Sequence, residues 1–424
     1  MFLHLDLDCF FVSAHRTLDE SLFHIPVAVG GRSNLNIFSS KKEVRQISSN
    51  SGAFVSTILT NEGMKSFKEY FVDENGKIRG IITTSSYEAR AFGVKTAMSV
   101  NEALTLCPHL KMLPPNYPLY HDLSNKLKEL LLKEIPLVEQ YSIDEFFGDV
   151  SGYIDEHEIV QFAYYLKKKI FDELKLPISI GIANTKYLSK LITEYAKPDG
   201  VKYVSVDNIG NFIKDIPIKE FPGIGKAFQE RLKGYGIKTL GDIKKNQKLF
   251  YSWKQPGIDL YNRVCGIRDN KLTFEREKKS IGIGRTFDAI YERTELKRRV
   301  MILSRYLCFL VKKANVNPLT YAIKIRYEYK IKSKNYINVN RIFNEMDFKS
   351  QMLELFDVTD NHPTHGVIQL NITVLNFAKI NEYTYNLFEY EADIKKRALT
   401  NQLQKLRSKY GIDIVKSAFE IKEI

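Results

Sequence analysis

The first nine residues constrain the fold more than any other stretch. Leu3, Leu5, Leu7 and Cys9 alternate with Phe2, His4, Asp6 and Asp8, the period-two pattern of a β-strand. One side is apolar and the other presents two carboxylates. A carboxylate inside an apolar strand is costly to bury unless it is paired or holds a cation. The chain then turns at Cys9-Phe10-Phe11 into a predicted helix, with Asp8 as its expected N-cap. A second acidic cluster, Ser142-Ile143-Asp144-Glu145, lies in a predicted hairpin over 138–150. Neighbours in a regular strand point to opposite faces, so Asp144 and Glu145 share a site only at a bend or a strand end. Asp149 reads as a turn residue. Phosphoryl transfer uses such carboxylates, because Mg²⁺ takes oxygen ligands and a metal pair stabilises both attacking and leaving oxygens. On spacing alone, a structural role for either cluster is the stronger reading.

A chain of 424 residues is too long for one ordinary core, which points to two to four domains. No apolar run reaches spanning length, so no transmembrane helix is expected. The opening residues lack the basic region and cleavage site of a signal peptide. Cys9, Cys107, Cys265 and Cys308 are too scattered for a disulfide framework or a zinc site, and they suit a reducing cytoplasm. The net charge of +13 divides unevenly. Residues 1–205 carry 23 Lys+Arg against 25 Asp+Glu, a net of −2, whereas residues 206–424 carry 40 against 25, a net of +15. A neutral half followed by a basic half fits a catalytic portion followed by portions that grip a polyanion. A generally basic surface or an acidic membrane surface fits the charge as well.

The segment 30–83 is dense in Ser and Asn and reads as a long insertion, of a size uncommon in loops without a role. Regular structure resumes at 81. Helices are predicted over 100–106, 120–135 and 159–174, and a strand over 178–183. A helix, Gly-rich turn and helix follow over 221–243. The last large segment reads strand 280–288, helix 292–314, strand 319–331, strand 336–343, helix 348–356 and strand 366–377. That β-α-β-β-α-β order is the split ferredoxin-like arrangement. A tail, 383–424, ends in an amphipathic helix over 394–410.

Several words of the sequence then narrow the function. Asp6-Leu7-Asp8-Cys9-Phe10-Phe11, Tyr87-Glu88-Ala89-Arg90-Ala91-Phe92-Gly93-Val94 and Ser142-Ile143-Asp144-Glu145 resemble motifs of Y-family DNA polymerases, bacterial DNA polymerase IV above all. So do Ala196-Lys197-Pro198-Asp199-Gly200, Phe221-Pro222-Gly223-Ile224-Gly225-Lys226 and Lys279-Ser280-Ile281-Gly282, all in the family's order. The resemblance covers residues 1–380 apart from the insertion. It implies an α+β multidomain right hand: a ferredoxin-like palm (1–9 and 116–205), fingers (10–115, with the insertion at about 30–83), a helix-hairpin-helix thumb (206–278) and a little finger (279–382). The implied activity is template-directed addition of deoxynucleotides to a primer 3′-end, including error-prone synthesis across damaged template.

By the same resemblance, Asp6, Asp144 and Glu145 are the catalytic carboxylates, and with the Leu7 carbonyl they hold two Mg²⁺ ions. Tyr87, Arg90 and Lys197 match the triphosphate clamp, with Phe10 and Thr84 also at the nucleotide. Arg grips phosphate through paired hydrogen bonds, whereas Lys supplies a point charge. Phe11 matches the position that excludes ribonucleotides by filling the space of the 2′-hydroxyl; its parity with Leu3, Leu5 and Leu7 fits ordinary core too. Gly223, Gly225 and Lys226 are expected at the phosphates of the primer-template DNA, where glycine admits close backbone approach. Lys324, Arg326 and Lys330 share parity, and hence a face, for DNA contact. Thr384-Tyr385-Asn386-Leu387-Phe388 sits where family members carry a sliding-clamp peptide, with Thr384 in place of the usual glutamine. No membrane partner is expected, nor a proofreading exonuclease, and the chain is expected to be a monomer in the cytoplasm. Two rival readings are a non-catalytic relative that recruits other polymerases and a nucleotide cyclase. The retained carboxylates oppose the first, and the hairpin motif and last domain oppose the second.

Overall fold

The structure, a computed structural model, describes residues 1–33, 35–38, 46–47, 58–59, 65–267, 272–274, 278–378 and 388–421. The chain forms two compact units. One consists mainly of Met1–Gly31 and Asn61–Arg276; the other consists of Glu277–Ile424 with a stretch that begins at Arg32.

The first unit is centred on a five-stranded sheet in the order Val201–Tyr203, Ile178–Ala183, Phe2–Leu7, Glu145–Asp149, Leu137–Gln140. The opening strand lies in the middle, antiparallel to both neighbours. Leu3, Leu5 and Leu7 pack with Leu127 and Leu131 of helix Tyr117–Glu134 and with Leu166 and Ile170 of helix Ile159–Leu174. The opposite face is buried as well, so all six strand residues are buried rather than alternate ones. Helix Lys186–Glu194 lies against that face, and its Thr193 hydroxyl meets the His4 ring at 2.9 Å. Gly181 makes this approach possible, since a Cβ there would run into the Ser189 carbonyl and the Thr193 amide.

A three-stranded sheet, Ile81–Ser85, Val27–Gly31 and Lys111–Leu113, has a separate core with Tyr70, Phe71, Val94, Val100 and Met112. Tyr70 and Phe71 belong to helix Phe67–Phe71, closed by a capping box from Ser66 and Glu69. Sequence pattern places these residues inside the insertion, yet their aromatic pair fills the core beneath this sheet. A helical region completes the unit. Helices Lys226–Gly234, Leu240–Lys245, Gln247–Ser252 and Lys254–Cys265 surround Phe221, Leu232, Ile237, Leu240 and Phe250.

The second unit holds a four-stranded antiparallel sheet in the order Ser280–Ile290, Val367–Ala378, Asn317–Tyr327, Lys332–Asn338. With helices Arg293–Lys313 and Glu345–Thr359 it gives the expected β-α-β-β-α-β order. Ile283, Ile323, Ile325, Leu370 and Ile372 join the helices in the core. The third strand is shifted from the expected 336–343 because the chain turns tightly at Tyr329 and Lys330, both at positive φ. Two further pieces join this core. Ile37 and Phe38 are buried in it, with Arg298 Nη2 donating to the Phe38 carbonyl at 3.2 Å. Helix Tyr390–Tyr410 and the turns after it bring Arg407, Ile412, Asp413 and Glu420 against the two helices. Among the described residues, no helix is long and apolar enough to cross a membrane.

Candidate active site

Strand register assembles the carboxylates. Glu145 stands directly opposite Asp6, and the Leu7 amide donates to the Asp144 carbonyl at 3.0 Å. The second strand begins only at Glu145, after a bend over 142–144, so Asp144 and Glu145 meet the condition set by their adjacency. Ser142 shapes the bend: its hydroxyl donates to Asp144 Oδ1 at 2.5 Å and accepts from the amides of Asp144 and Glu145. Asp149 closes the other end of the strand by accepting from the Ser151 amide and hydroxyl.

Burial, with the Glu145 and Asp144 charges adding to it, raises the Asp6 pKa to about 8 against the opposing charge of Lys197. Burial also raises that of Asp144, despite the Ser142 hydrogen bond. Two lysines pair with the carboxylates of this cluster. Lys197 Nζ donates to Asp6 Oδ2 and Glu194 Oε1, both at 3.0 Å, and Lys190 is ion-paired with Glu145. Ligand atoms of Asp6, Glu145 and His4 lie within 4.8 Å of one another, and carboxylate oxygens suit a hard divalent cation, which would offset the burial of Asp6. His4 lies beneath them on the same strand, fully buried, and burial holds its pKa well below the ordinary value.

Asp8 departs from the expected helix cap. The strand ends at Leu7, and Cys9 takes the cap position at φ 48 with no side-chain cap. The Asp8 carboxylate turns instead toward the loop after residue 196 and toward Tyr87. It accepts from the Tyr87 hydroxyl at 2.7 Å and from the Ser179 hydroxyl and Asp199 amide at 2.8 Å.

Tyr87 and Arg90 sit on the short helix Tyr87–Ala91, capped by Ser86. The Arg90 guanidinium lies over the Tyr87 ring at 4.9 Å, and its Nε donates to the Ser85 carbonyl. Thr84 is half-buried on the strand leading to this helix. Phe10 and Phe11 are both buried, and the Phe11 ring stacks on Tyr120 at 4.3 Å between centroids.

In the hairpin loop Gly223 adopts φ 97 and Gly225 precedes helix Lys226–Gly234; nothing lies within 4 Å of a Cβ built at either. An open cleft of about 540 Å³ is lined by residues 221–225 with Lys190, Glu194 and Lys219. In the second unit, register pairs Lys324 with Lys334 and Arg326 with Lys332 across adjacent strands. The face that parity was expected to give Lys330 in common with Lys324 and Arg326 is not formed, because the strand ends at Tyr327 and residues 328–330 form a turn.

Sequence reasoning missed Lys190, Ser142, Ser179 and the role of Asp8. The Lys186/Lys190 spacing of four on a helix was the available signal for the first, since it places both ammoniums on one face.

The sequence matches the impB/mucB/samB family over residues 5–194, the HHH motif of that family over 206–237 and its C-terminal domain over 278–387. A DNA polymerase IV from Photorhabdus laumondii is 32% identical over 322 residues, which is 74% of this chain and 78% of that protein. This chain belongs to the Y family of DNA polymerases. A DNA polymerase IV from Lactococcus lactis is 30% identical across 70% of this chain and 84% of that protein. Among solved structures, a Y-family polymerase chimera, Dbh-Dpo4-Dbh, superposes with a TM-score of 0.70 at 20% identity, covering 89% of this chain and 98% of its own. DinB from Sulfolobus solfataricus gives a TM-score of 0.51 at the same identity and coverage. This Y-family member is a template-directed DNA polymerase of the translesion class.

Proposed function

We propose that Asp6, Asp144 and Glu145, with the Leu7 carbonyl, hold two Mg²⁺ ions at which deoxynucleotides are added to a primer. The single observation that carries this reading is the register placing Glu145 opposite Asp6 beside the bend at Asp144. Bound there, the ions neutralise charge at the attacking and leaving oxygens and favour ionisation of the primer hydroxyl. The protein's own residues do the rest. Tyr87, Arg90 and Lys197 grip the triphosphate, and Lys197 exchanges its present carboxylate partners for phosphate. Phe11, with Phe10 and Thr84 nearby, walls the sugar and rejects a 2′-hydroxyl. Gly223, Gly225 and Lys226 approach one stretch of DNA backbone. Lys324, Arg326, Lys332 and Lys334 approach another, with Lys330 beside them. Like charges directly opposed on a sheet are unfavourable alone, and a polyanion turns that cost into a gain. A solved relative is titled as an insertion ternary complex of Dbh DNA polymerase, in keeping with DNA and nucleotide as joint ligands.

On this reading the five-stranded sheet is the palm, the three-stranded sheet the fingers, the helical region the thumb and the second unit the little finger. The enzyme acts as a cytoplasmic monomer and meets a sliding clamp near Leu387-Phe388. Residues 384–387 lie outside those described; Phe388 is 96% exposed. The deciding experiment is primer extension with Mg²⁺ and four deoxynucleotides, beside Asp144→Ala/Glu145→Ala. Retained extension and unchanged calorimetric Mn²⁺ binding in the double variant would overturn the assignment.

A further inference from the structure

The described residues offer several unassigned features: the balanced buried ion network of the second unit, the exposed Asp155-Glu156-His157-Glu158 turn, and the carboxylate of Asp8. The Asp8 carboxylate carries an inference furthest. It is 2% exposed, it contacts none of the metal-site carboxylates, and both its oxygens are used. What matters is which parts of the chain meet on it. Oδ1 accepts from Tyr87, which lies 79 positions away on the helix that also bears Arg90. Oδ2 accepts from the backbone amide of Asp199, two residues beyond Lys197 and 191 positions from Asp8. The Ser179 hydroxyl on the neighbouring strand holds the same oxygen from the sheet side.

We propose that Asp8 is the positioning residue of the triphosphate clamp, tying the two cations that grip phosphate to one fixed point on the palm. The inference rests on the clamp reading of Arg90 and Lys197 above. Arg90 is set through the Tyr87 ring, against which its guanidinium stacks at 4.9 Å. Lys197 is set through its own loop, whose Asp199 stands at φ 48 with its carboxylate paired to Lys167 at 2.9 Å. A charge-assisted hydrogen bond from the Asp199 amide to Asp8 fixes the backbone of that loop to the sheet. Asp8 touches no substrate in this role. It fixes where two long side chains begin, so that less of their freedom is lost when the nucleotide arrives.

The test is steady-state single-nucleotide insertion by the full chain, with primer-template affinity measured separately. Asp8→Ala raises KM for the correct deoxynucleotide about tenfold while kcat and DNA affinity stay within about threefold. Asp8→Asn restores most of the loss. Its oxygen still accepts from the Asp199 amide, and its NH₂ donates to the Tyr87 hydroxyl, which accepts as readily as it donates. Should Asp8→Ala fold poorly, Ser179→Ala removes a partner of the same oxygen without emptying the core, and KM rises by about threefold. Arg90→Ala and Lys197→Ala are the references. If they leave KM unchanged, the clamp reading fails. If they raise it while Asp8→Ala or Ser179→Ala does not, the positioning role fails. A fall in kcat with KM unchanged in Asp8→Ala, unrescued by Asp8→Asn, also overturns it, since a merely structural residue lowers the amount of active enzyme and leaves KM where it was.

Discussion

Replacing Arg305 with leucine should destabilise the second unit by an amount that the charge balance of its interior fixes. Arg305 is 1% exposed, and its guanidinium donates to Glu420 Oε2 and Asp413 Oδ1, both at 2.6 Å, and to the Ile412 carbonyl at 2.9 Å. Glu420 also accepts from Lys349 at 2.8 Å, Lys349 pairs with Glu345 at 2.7 Å, and Glu345 pairs with Arg407. The network thus holds three cations, Arg305, Lys349 and Arg407, against three carboxylates, Glu345, Asp413 and Glu420. Arg305→Leu leaves one negative charge in excess within it. Breaking a buried pair costs about 3–5 kcal/mol, and the low end applies because Glu420 keeps Lys349 and the Ser417 hydroxyl. For a unit of about 150 residues, about 3 kcal/mol lowers the thermal midpoint by about 6–12 °C. Arg305→Leu/Glu420→Gln restores two charges of each sign, so it should recover about 1 kcal/mol or more of that loss. Calorimetric unfolding of the full chain reads both variants. A shift below about 2 °C for the single variant, or a double variant no more stable than the single, would refute this account of the network.

Three other outcomes are expected. Phe11→Ala should admit ribonucleotides more readily, but removing a ring stacked on Tyr120 also costs about 3–5 kcal/mol of stability; the deoxy-to-ribo ratio of kcat/KM is therefore the measurement, and an unchanged ratio removes Phe11 as the gate. Burial lowers the His15 pKa from 6.5 to about 4. A base depressed in the folded state contributes its full stability above pH 6.5, and about 3 kcal/mol is lost as pH falls to 4. The thermal midpoint of His15→Phe should accordingly fall less steeply than that of the parent between pH 7 and 4, and parallel curves would count against it. Lys324→Ala/Lys334→Ala removes two opposed cations, so the logarithmic salt slope of duplex binding should shrink by about 1.8, while stability rises by a few tenths of a kcal/mol. A loss of stability with an unaltered slope would show that this face serves packing and not DNA.

Local pattern revealed the elements with one dominant period. The helices Val100–Leu106 and Ile159–Leu174 follow apolar spacing to the residue, because one face decides their burial, and the strand Ile178–Ala183 follows it too, although both its faces are buried. The carboxylate site was legible as types and order, since Asp6, Asp144 and Glu145 must be written into the chain whatever surrounds them. Their meeting was not legible, because it depends on a register that pairs residues 139 positions apart. Asp8 shows the limit most sharply. Alternation assigns it to the same face as Asp6, and position before a helix assigns it a capping role. Both rules assume that the backbone continues regularly through Cys9. The left-handed turn there rotates the carboxylate away from the helix, toward donors on a strand 171 positions later and a loop beyond it.

The tail is the converse case, since its helix is legible and its meaning is not. An amphipathic helix near a chain end reads as an appendage, and truncation from residue 383 then looks like a clean way to test a clamp contact. Yet Arg407 and Glu420 are each 3% exposed and complete the ion pairs of Glu345, Lys349 and Arg305. Removing the tail leaves Arg305 without either of its carboxylates, takes one partner each from Glu345 and Lys349, and uncovers the apolar surface beneath Ile412. Lost clamp stimulation after truncation would therefore report a misfolded second unit as readily as a missing peptide. Phe388→Ala separates the two, because a side chain 96% exposed contributes little to folding and much to any partner that buries it. Loss of clamp-stimulated synthesis with an unchanged thermal midpoint in that variant assigns the contact; unchanged stimulation places it elsewhere.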